Sequence, residues 1–495
     1  MKKPKHFPSL EVFKEKALTC NVVPVYRDIL ADTETPVSAF MKIDDGADAF
    51  LLESVEGGEK WGRYSLLGTR PRTLVHGKGM RVEVKGTDGT AEVIEGNPID
   101  TLQLLMSRFR PAHVDGAPRF YGGAIGYMGY DVIRHIEKLP DSAVDDLNLP
   151  DLFFIFTDTL LVFDNMEHKI KVIANAFLDD GSDHEAVYRQ SIDKIDALVE
   201  KLRSGRLPGH REPGPSAPLV TSNFKKEEFL AAVERTKSYI REGDIIQAVI
   251  SQRFETKLDC EPFDIYRALR VVNPSPYMFF LRLGDVTLAG SSPEVLVRVE
   301  GDEVNVKPIA GTRKRGRDAG EDAELEKELL ADPKERAEHI MLVDLGRNDV
   351  GRVARPGTVV VDELMQVERY SHVMHIVSNV RGLLEDGMGP FDAFKACFPA
   401  GTLTGAPKIR AMEIIEELEP CKRGVYGGSV GYFGYSNNMD MCITIRTLLI
   451  KDGRIYIQAG AGIVADSVPE KEFEETENKA RGMLKAVHIA MDGFL

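Results

Sequence analysis

The stretch FYGGAIGYMGYD, at Phe120–Asp131, returns late in the chain as VYGGSVGYFGYS, at Val425–Ser436. Both copies set glycines between tyrosines and apolar residues, which is typical of strands that bend or pack closely against a neighbour. A phosphate-binding loop is disfavoured, because neither copy is followed by a Lys-Ser/Thr pair or a helix start, and GxGxxG spacing is absent. The repeat therefore predicts a duplicated hairpin scaffold within a β-sheet.

The 495 residues around this repeat suffice for two or three domains. A stretch rich in Pro, Gly and charge, RSGRLPGHREPGPSAP, lacks any hydrophobic period and is typical of a linker. We therefore expect an N-terminal region at 1–203, a linker at 204–221 and a C-terminal domain at 222–495.

The elements on the two sides of this linker favour an α+β fold. In the first half, TLVHGKGMRVEVKG and TLLVFDNMEHKIKVIANA alternate and turn like antiparallel hairpins. The second half opens with a predicted helix that Ser222 or Asn223 can cap and Gly243 can end. The strand that follows places Gln247 on one face with Val249. Because helices and strands do not alternate regularly, we expect antiparallel sheets covered by helices.

Composition and charge exclude several classes of protein. The net charge of −15 is the wrong sign for a nucleic-acid-binding protein. The N-terminus has no apolar signal-peptide core, and the longest apolar run is interrupted by Asp158 and too short to span a bilayer. We therefore expect a cytoplasmic protein with no membrane partner. Five scattered cysteines without a CxxC pair favour reduced thiols: Cys20, Cys260, Cys397, Cys421 and Cys442.

Two segments with helical spacing each carry a pair of glutamates. Glu335 and Glu338 are three residues apart, as are Glu472 and Glu475, so each pair lies on one side of its helix. If the two helices meet, the carboxylates form a cluster of hard oxygen ligands that suits Mg²⁺. The alternative is that both are ordinary solvated helix faces. A zinc protease is set aside, because ERAEH lacks the two-histidine spacing.

Two further residues suggest chemistry but leave an alternative open. His375 lies between apolar residues and is either a proton-transfer group or a hydrogen-bonded core histidine. Arg446 lies in an apolar strand and needs an anionic partner, which is either a substrate carboxylate or a structural ion pair. Three glycine-rich stretches, PIAGTRKRG, FPAGTLTGAPK and YIQAGAGIV, can expose backbone N–H groups to carboxylate oxygens.

Taken together, the ordered segments PIAGTRKRG, ERAEHIMLVDLGRNDVGRV, HVMHIVSNVRG, FPAGTLTGAPKIRAMEIIEELEP, RGVYGGSVGYFG, ITIRT and IQAGAGIVADSVPEKEFEETENKA resemble the chorismate-binding enzyme family. LLESVEGGEKWGRYSLLG and GGAIGYMGYDVIR extend the likeness into the first half. The resemblance implies a four-layer α+β fold, with two orthogonally packed antiparallel sheets between outer helices.

Within that family the chain resembles the anthranilate-forming branch. This implies a Mg²⁺-dependent lyase of tryptophan biosynthesis that converts chorismate and ammonia to anthranilate and pyruvate and is feedback-inhibited by tryptophan. Ammonia is then expected from a glutamine amidotransferase subunit in a hetero-oligomer, because no cysteine here sits in a nucleophile turn. Isochorismate synthases carry a lysine base where this chain has Gln247, and aminodeoxychorismate synthases typically carry lysine at Ala310. Those two activities, or a silent tryptophan sensor, are the alternatives.

The resemblance also implies roles for individual residues. The expected catalytic residues are His375, Glu294 and Gln247. The expected chorismate-binding residues are Gly311, Thr312, Thr402, Tyr426, Arg446, Gly460, Ala461, Gly462 and Lys479. Glu338 and Glu475 are the expected metal ligands, supported through water by Glu335 and Glu472. Tryptophan is expected to contact Glu53, Ser54, Asn273, Pro274, Tyr277, Met278, Val430, Tyr432 and Cys442.

Overall fold

A computed structural model describes residues 5–54, 63–87, 89–207, 219–370 and 373–494. Residues 208–218, most of the predicted linker, lie outside these ranges. The helices are α1 Leu10–Lys16, α2 Pro36–Ile43, α3 Pro98–Ser107, α4 His184–Ser204, α5 Lys226–Glu242, α6 Pro262–Val272, α7 Ala319–Ala331, α8 Pro333–Gly351, α9 Pro390–Cys397, α10 Lys408–Leu418 and α11 Pro469–Met491, with 3₁₀ turns at Tyr130–His135 and Gly401–Leu403.

The strands are β1 Val22–Leu30, β2 Ala49–Glu53, β3 Tyr64–Thr69, β4 Thr73–Lys78, β5 Arg81–Gly86, β6 Ala91–Glu95, β7 Gly123–Met128, β8 Leu152–Phe156, β9 Thr159–Asp164, β10 Lys169–Phe177, β11 Thr221–Ser222, β12 Gln247–Lys257, β13 Tyr277–Leu283, β14 Val286–Ser292, β15 Val295–Glu300, β16 Glu303–Val306, β17 Ile309–Lys314, β18 Val360–Arg369, β19 Val373–Leu383, β20 Gly405–Ala406, β21 Ser429–Gly434, β22 Met439–Ile443, β23 Thr447–Lys451 and β24 Arg454–Ile463.

These strands form two antiparallel sheets of twelve strands each within the described ranges. The first sheet runs β1-β10-β9-β3-β2-β13-β14-β23-β24-β12-β11, with β20 beside β12. The second runs β17-β19-β16-β15-β22-β21-β7-β8-β4-β5-β6, with β18 beside β19. The α+β class with helix-covered antiparallel sheets is confirmed. Each sheet is continuous across the two sequence halves, through β2–β13 and β7–β21, while the division into two domains stays a prediction.

The two glycine-rich copies are neighbouring strands that pair with each other. β7 and β21 run antiparallel, with Gly126 opposite Gly431. A Cβ on Gly126 would lie 1.9 Å from the Phe153 carbonyl oxygen, so glycine permits this close approach. The predicted hairpin is wrong for the first copy, which continues into a 3₁₀ turn. The second copy does turn into β22, and Asn437 takes the left-handed conformation that the turn requires.

The predicted start of helix α5 is also wrong. The N-cap is Lys225, which makes no side-chain cap hydrogen bond. Ser222 lies in β11 instead, where its hydroxyl donates to the Gln252 side chain over 2.6 Å. Pairing of β11 with β12 therefore places Ser222 in a strand, although the local sequence favours it as a helix cap. The predicted end is correct, because Gly243 closes the helix at a φ of 86°.

One hydrophobic core takes side chains from both sheets, including the fully buried Phe280 of β13 and Phe154 of β8. The long apolar segment around Asp158 forms β8 and β9. None of the five cysteines forms a disulfide with another described cysteine. No helix in the described parts of the chain is long and apolar enough to cross a bilayer.

Candidate active site

A β-bulge aligns His375 with the PIAGT segment. The register between β17 and β19 shifts between Ala310 and Thr312, and Gly311 in the bulge has a φ of 75°. The bulge brings the Thr312 hydroxyl to 2.9 Å and the Gly311 carbonyl oxygen to 3.2 Å from His375 Nδ1. A side chain at position 311 would meet Ile376 at 3.1 Å and strain the backbone. Glycine is thus required for this arrangement.

These contacts favour one tautomer of His375. The tautomer that makes a hydrogen bond with both partners has Nδ1–H donating to the Gly311 carbonyl oxygen, which can only accept, and keeps the lone pair on Nε2. Burial, assisted by the nearby Arg446 charge, lowers the pKa of His375 to about 4. The imidazole is therefore neutral at pH 7 and offers Nε2 as a proton acceptor.

Glu294 is a buried carboxyl group, 8% exposed, on the connection between β14 and β15. Its backbone carbonyl accepts from the Ile443 N–H over 3.0 Å, which fixes the connection against β22. The Thr402 hydroxyl donates to Glu294 Oε1 over 3.0 Å. Burial raises the pKa of Glu294 to about 8, against smaller opposing effects of Thr402 and Arg446. Glu294 is consequently protonated at neutral pH and can act as an acid.

Arg446 follows β22 in a left-handed conformation, with a φ of 48°. This conformation is unfavourable for a residue with a side chain. Within the described ranges its guanidinium makes no hydrogen bond or salt bridge to protein. Burial lowers the pKa of Arg446, and Glu294 opposes this shift when its carboxyl group is ionised. A structural ion pair thus does not account for Arg446, and the guanidinium is available to an anionic ligand.

Strand β24 brings a second set of predicted residues together. A Cβ on Gly460 would lie 2.8 Å from the Tyr426 hydroxyl, so the phenol reaches the glycine backbone. Lys479 of α11 donates to the Gly460 carbonyl oxygen over 2.9 Å and pairs with Glu475 over 2.7 Å. Ala461 is fully buried between Gly460 and Gly462.

Gln247 is the first residue of β12, which pairs with β24. Its amide nitrogen would be 2.8 Å from a Cβ on Gly462, so the glycine makes room for the amide. An amide cannot act as a base near neutral pH. The position therefore offers hydrogen bonding, but not the activation of water.

The four glutamates lie on two helices, α8 and α11, as predicted. Burial raises the pKa of Glu338, and the charges of Glu335 and Glu475 raise it further. Burial also raises the pKa of Glu472, again with a contribution from Glu475. Within the described ranges no three Asp, Glu, His or Cys side chains converge to hold a metal by themselves. The carboxylates are thus close enough to repel one another, and a complete site needs ligand atoms from elsewhere.

A separate cavity of about 340 Å³ is lined by most of the residues expected to bind tryptophan. It lies where β2 and β13 of the first sheet approach β21 and β22 of the second. Asn273 and Pro274 are not among its lining residues, and the Asn273 amide bonds instead to the Ser291 hydroxyl. The expected residues that do line it are Glu53, Ser54, Tyr277, Met278, Val430, Tyr432 and Cys442.

Two lining residues of this cavity were missed by the sequence analysis. Asp440 accepts from the Tyr277 hydroxyl over 2.9 Å, and burial raises its pKa to about 6. Arg119 donates to the Tyr432 hydroxyl over 3.3 Å. Asp440 could have been found from the sequence, because it is a charged residue within the apolar strand NMDMCIT. Arg119 could have been found because it directly precedes the repeated FYGG segment. The cavity thus offers both charge signs beside aromatic walls, as a zwitterionic aromatic ligand requires.

The comparisons with known proteins agree on a family. Residues 52–485 match the profile described as chorismate binding enzyme. The chain is 50% identical to anthranilate synthase component 1 of Acetivibrio thermocellus over 492 residues, covering 98% of this chain and 99% of that protein. It is 47% identical to the same component of Aquifex aeolicus, covering 97% and 98%.

Two solved structures have the same fold as this chain. Anthranilate synthase component I of Streptococcus pneumoniae TIGR4 superposes with a TM-score of 0.78 at 38% identity, covering 92% of this chain and 99% of that chain. The menaquinone-specific isochorismate synthase of Escherichia coli shares the fold, with a TM-score of 0.73 at 18% identity and coverage of 97% and 99%. The chain therefore belongs to the chorismate binding enzyme family, among the anthranilate synthase component 1 proteins.

The two glycine-rich copies predict an asymmetric mutational effect. If Tyr426 binds the substrate carboxylate as the resemblance implies, Tyr426→Phe is expected to raise the KM for chorismate about tenfold, because one hydrogen bond to a charged ligand would be lost. Tyr121→Phe is expected to leave KM within about twofold, because the Tyr121 hydroxyl only approaches the Ala112 carbonyl at 3.5 Å. Steady-state kinetics of both variants check this, and equal effects would contradict it.

Proposed function

We propose that this chain converts chorismate and ammonia into anthranilate, pyruvate and water, as component 1 of an anthranilate synthase. The observation that carries the proposal is that the buried Glu294, with a pKa raised to about 8, and His375, with a pKa lowered to about 4, both lie within Coulomb range of Arg446, which makes no hydrogen bond or salt bridge to the described residues. An acid, an anion-binding cation and a proton acceptor are the groups that the reaction needs.

In the first step ammonia attacks C2 of chorismate as the C4 hydroxyl departs. Glu294 donates its proton to the departing oxygen, which leaves as water instead of hydroxide. Thr402, bonded to Oε1, orients the carboxyl so that the other oxygen carries the proton. Arg446 binds the enolpyruvyl carboxylate, with Tyr426 beside it, and holds the ring in place.

In the second step C2 loses its proton, the bond to the enolpyruvyl oxygen breaks, and the ring becomes aromatic. Pyruvate forms when the departing enolpyruvyl group takes up a proton. The Nε2 lone pair of His375 is the proposed mediator of this proton movement, since Nδ1 is occupied by the Gly311 carbonyl. Thr312, Gly311 and the backbone of β24 complete the binding surface.

Mg²⁺ is the proposed cofactor, held by Glu338 and Glu475 with Glu335 and Glu472 supporting through water. The donor set fits, because carboxylates on two helices offer hard oxygen ligands and a divalent cation offsets their repulsion. A carboxylate of chorismate would supply the ligand atoms that the protein alone does not bring together. When bound, the ion would screen the substrate charge.

The other chorismate reactions are less well supported. Isochorismate formation needs a base that activates water, and Gln247 cannot serve as one. Aminodeoxychorismate formation stops before pyruvate leaves, and Ala310 replaces the lysine that those enzymes typically carry. A silent tryptophan sensor needs neither a protonated Glu294 nor an unpaired Arg446.

Ammonia is proposed to come from a separate glutamine amidotransferase subunit. Burial raises the pKa of the Cys397 and Cys442 thiols, so neither is a ready thiolate nucleophile. Burial raises the pKa of Cys421 as well. We therefore expect these three thiols to be unsuited to glutamine hydrolysis, and the chain to need a partner to use glutamine but not to use free ammonium.

The proposal is tested by incubating the purified chain with chorismate, ammonium and Mg²⁺. We expect anthranilate fluorescence and an equal amount of pyruvate. Chelation with EDTA should stop the reaction, and added Mg²⁺ should restore it. Chorismate that stays intact would refute the enzymatic proposal, and aminodeoxychorismate or isochorismate as product would replace it by one of the alternatives.

Tryptophan is the proposed occupant of the 340 Å³ cavity and the feedback inhibitor. We expect saturating tryptophan at about 100 times its Kd to stabilise the fold by about 2.7 kcal/mol, measured as an increase in Tm. Leu66→Trp should abolish this increase in Tm. Leu66 lies on β3 and lines the cavity, so the introduced indole would occupy the space of the ligand. Phenylalanine is the control ligand, and an undiminished effect of tryptophan on the variant would contradict the assignment.

A further inference from the structure

A buried ion pair lies directly behind the proposed chorismate site. Arg423 Nη2 is 2.6 Å from Glu419 Oε1, and the two side chains are only 1% and 3% exposed. Arg423 Nε donates to the other carboxylate oxygen over 2.9 Å, so the pair is bidentate. Neither residue was singled out from the sequence, and neither has a role in the mechanism above.

Arg423 connects two segments that carry proposed site residues. Its Nη1 donates to the Leu403 carbonyl oxygen over 2.7 Å, next to Thr402, which bonds to the acid Glu294. Its Nη2 donates to the Val249 carbonyl oxygen over 2.8 Å, on the strand that begins with Gln247. One guanidinium therefore fixes both segments relative to each other.

Glu419 extends the same network to strand β24. Its Oε1 accepts from the Ser251 N–H and from the Ser251 hydroxyl, each over 2.8 Å. Ser251 is paired with Gly460, whose carbonyl oxygen receives the Lys479 ammonium. The Ser251 hydroxyl also accepts from the Gln458 amide over 2.9 Å. The network thus ends at the glycine backbone against which Tyr426 rests.

The guanidinium of Arg423 also supports Tyr426 itself. It lies 5.5 Å from the centroid of the Tyr426 ring and 4.8 Å from that of Tyr130. The Tyr426 N–H donates to the Arg423 carbonyl oxygen over 3.2 Å, so backbone and side chain both fix the tyrosine. Distances of this size favour a cation–π contact on each ring.

We propose that Arg423 and Glu419 are positioning residues for chorismate turnover, which place the Tyr426 hydroxyl and the Thr402–Glu294 pair in one geometry. The inference rests on the proposed function. A buried ion pair adds little stability compared with a well-packed apolar pair, so its many directed hydrogen bonds point to geometric control.

The experiment compares Arg423→Lys with Arg282→Lys. A lysine can pair with Glu419 but cannot reach the Leu403 and Val249 carbonyls together. Arg282 is the matched control, because it also bonds a carboxylate, Asp44, and a backbone carbonyl, that of Ala47, at a place remote from the proposed site. We expect Arg423→Lys to lower kcat/KM about 10²-fold and to raise the KM for chorismate, measured well below its Tm. Arg282→Lys should change Tm alone.

A double-mutant cycle with Tyr426→Phe separates positioning from general destabilisation. If Arg423 acts through the Tyr426 hydroxyl, Arg423→Lys should raise KM much less in the Tyr426→Phe background. An unchanged KM in the folded variant, or additive effects, would overturn the inference. Should Arg423→Lys not fold, Glu419→Gln serves in the same cycle, with the same criteria. Wild-type turnover is measured first, so failure of the proposed function would be seen as an inactive wild type.

Discussion

Glu294→Gln is expected to lower kcat by about 10²–10⁴-fold at pH 7, the contribution typical of a general acid. Glutamine keeps the shape of the side chain and can still accept from Thr402, but it has no acidic proton to give to the C4 hydroxyl. Because the change is nearly isosteric, circular dichroism and Tm should stay close to the wild-type values. A variant that keeps more than about half of the activity would remove Glu294 from the mechanism.

The pH dependence of the wild-type enzyme tests the same assignment without a mutation. Glu294 must be protonated to act, and its pKa is raised to about 8. The rate should therefore be sustained below pH 8 and fall as the pH rises through this value. The descending limb should disappear from the residual activity of Glu294→Gln. Persistence of that limb in the variant would assign it to another group.

Arg446→Met is expected to have opposite effects on activity and stability. The KM for chorismate should rise about 10²-fold, because a bidentate contact to a carboxylate is lost. The Tm should rise by about 1–3 °C, because a partly buried guanidinium that makes no hydrogen bond or salt bridge to the described residues is replaced by an apolar side chain. This combination is typical of a binding site that is maintained at a cost in stability.

The control for Arg446→Met is Arg282→Met. Arg282 is paired with Asp44 over 2.7 Å, so its replacement leaves a carboxylate unpaired and should lower the Tm. Thermal unfolding of both variants and chorismate kinetics of Arg446→Met provide the measurements. A lower Tm for Arg446→Met would mean that the guanidinium has a structural partner after all.

Much of the fold, and several residues of the candidate site, could be proposed from local patterns. Alternation and turn residues located the hairpins of β4–β5 and β9–β10, and spacing located the helices that carry Glu338 and Glu475. Ordered motifs pointed to His375 and Arg446. These features depend on neighbours within a few residues, so the sequence displays them directly.

Local patterns failed where a distant segment competed for the same residue. Ser222 is a suitable helix cap, but β12 recruits it into a strand. FYGGAIGYMGYD has the pattern of half a tight hairpin, but its strand pairs with the other copy on one side, and with β8 on the other side only after a 3₁₀ turn and a long connection. Local propensity is weak compared with the burial and pairing that tertiary contacts supply.

The protonation states in the candidate site depend on the tertiary structure. The sequence by itself determined which groups are present: a glutamate at 294, a histidine at 375 and an arginine at 446. Their states come from burial and from charges brought close by the fold, which raise one pKa to about 8 and lower another to about 4. Desolvation and Coulomb interactions act through space, so residues far apart in the sequence decide which group is acid and which is base.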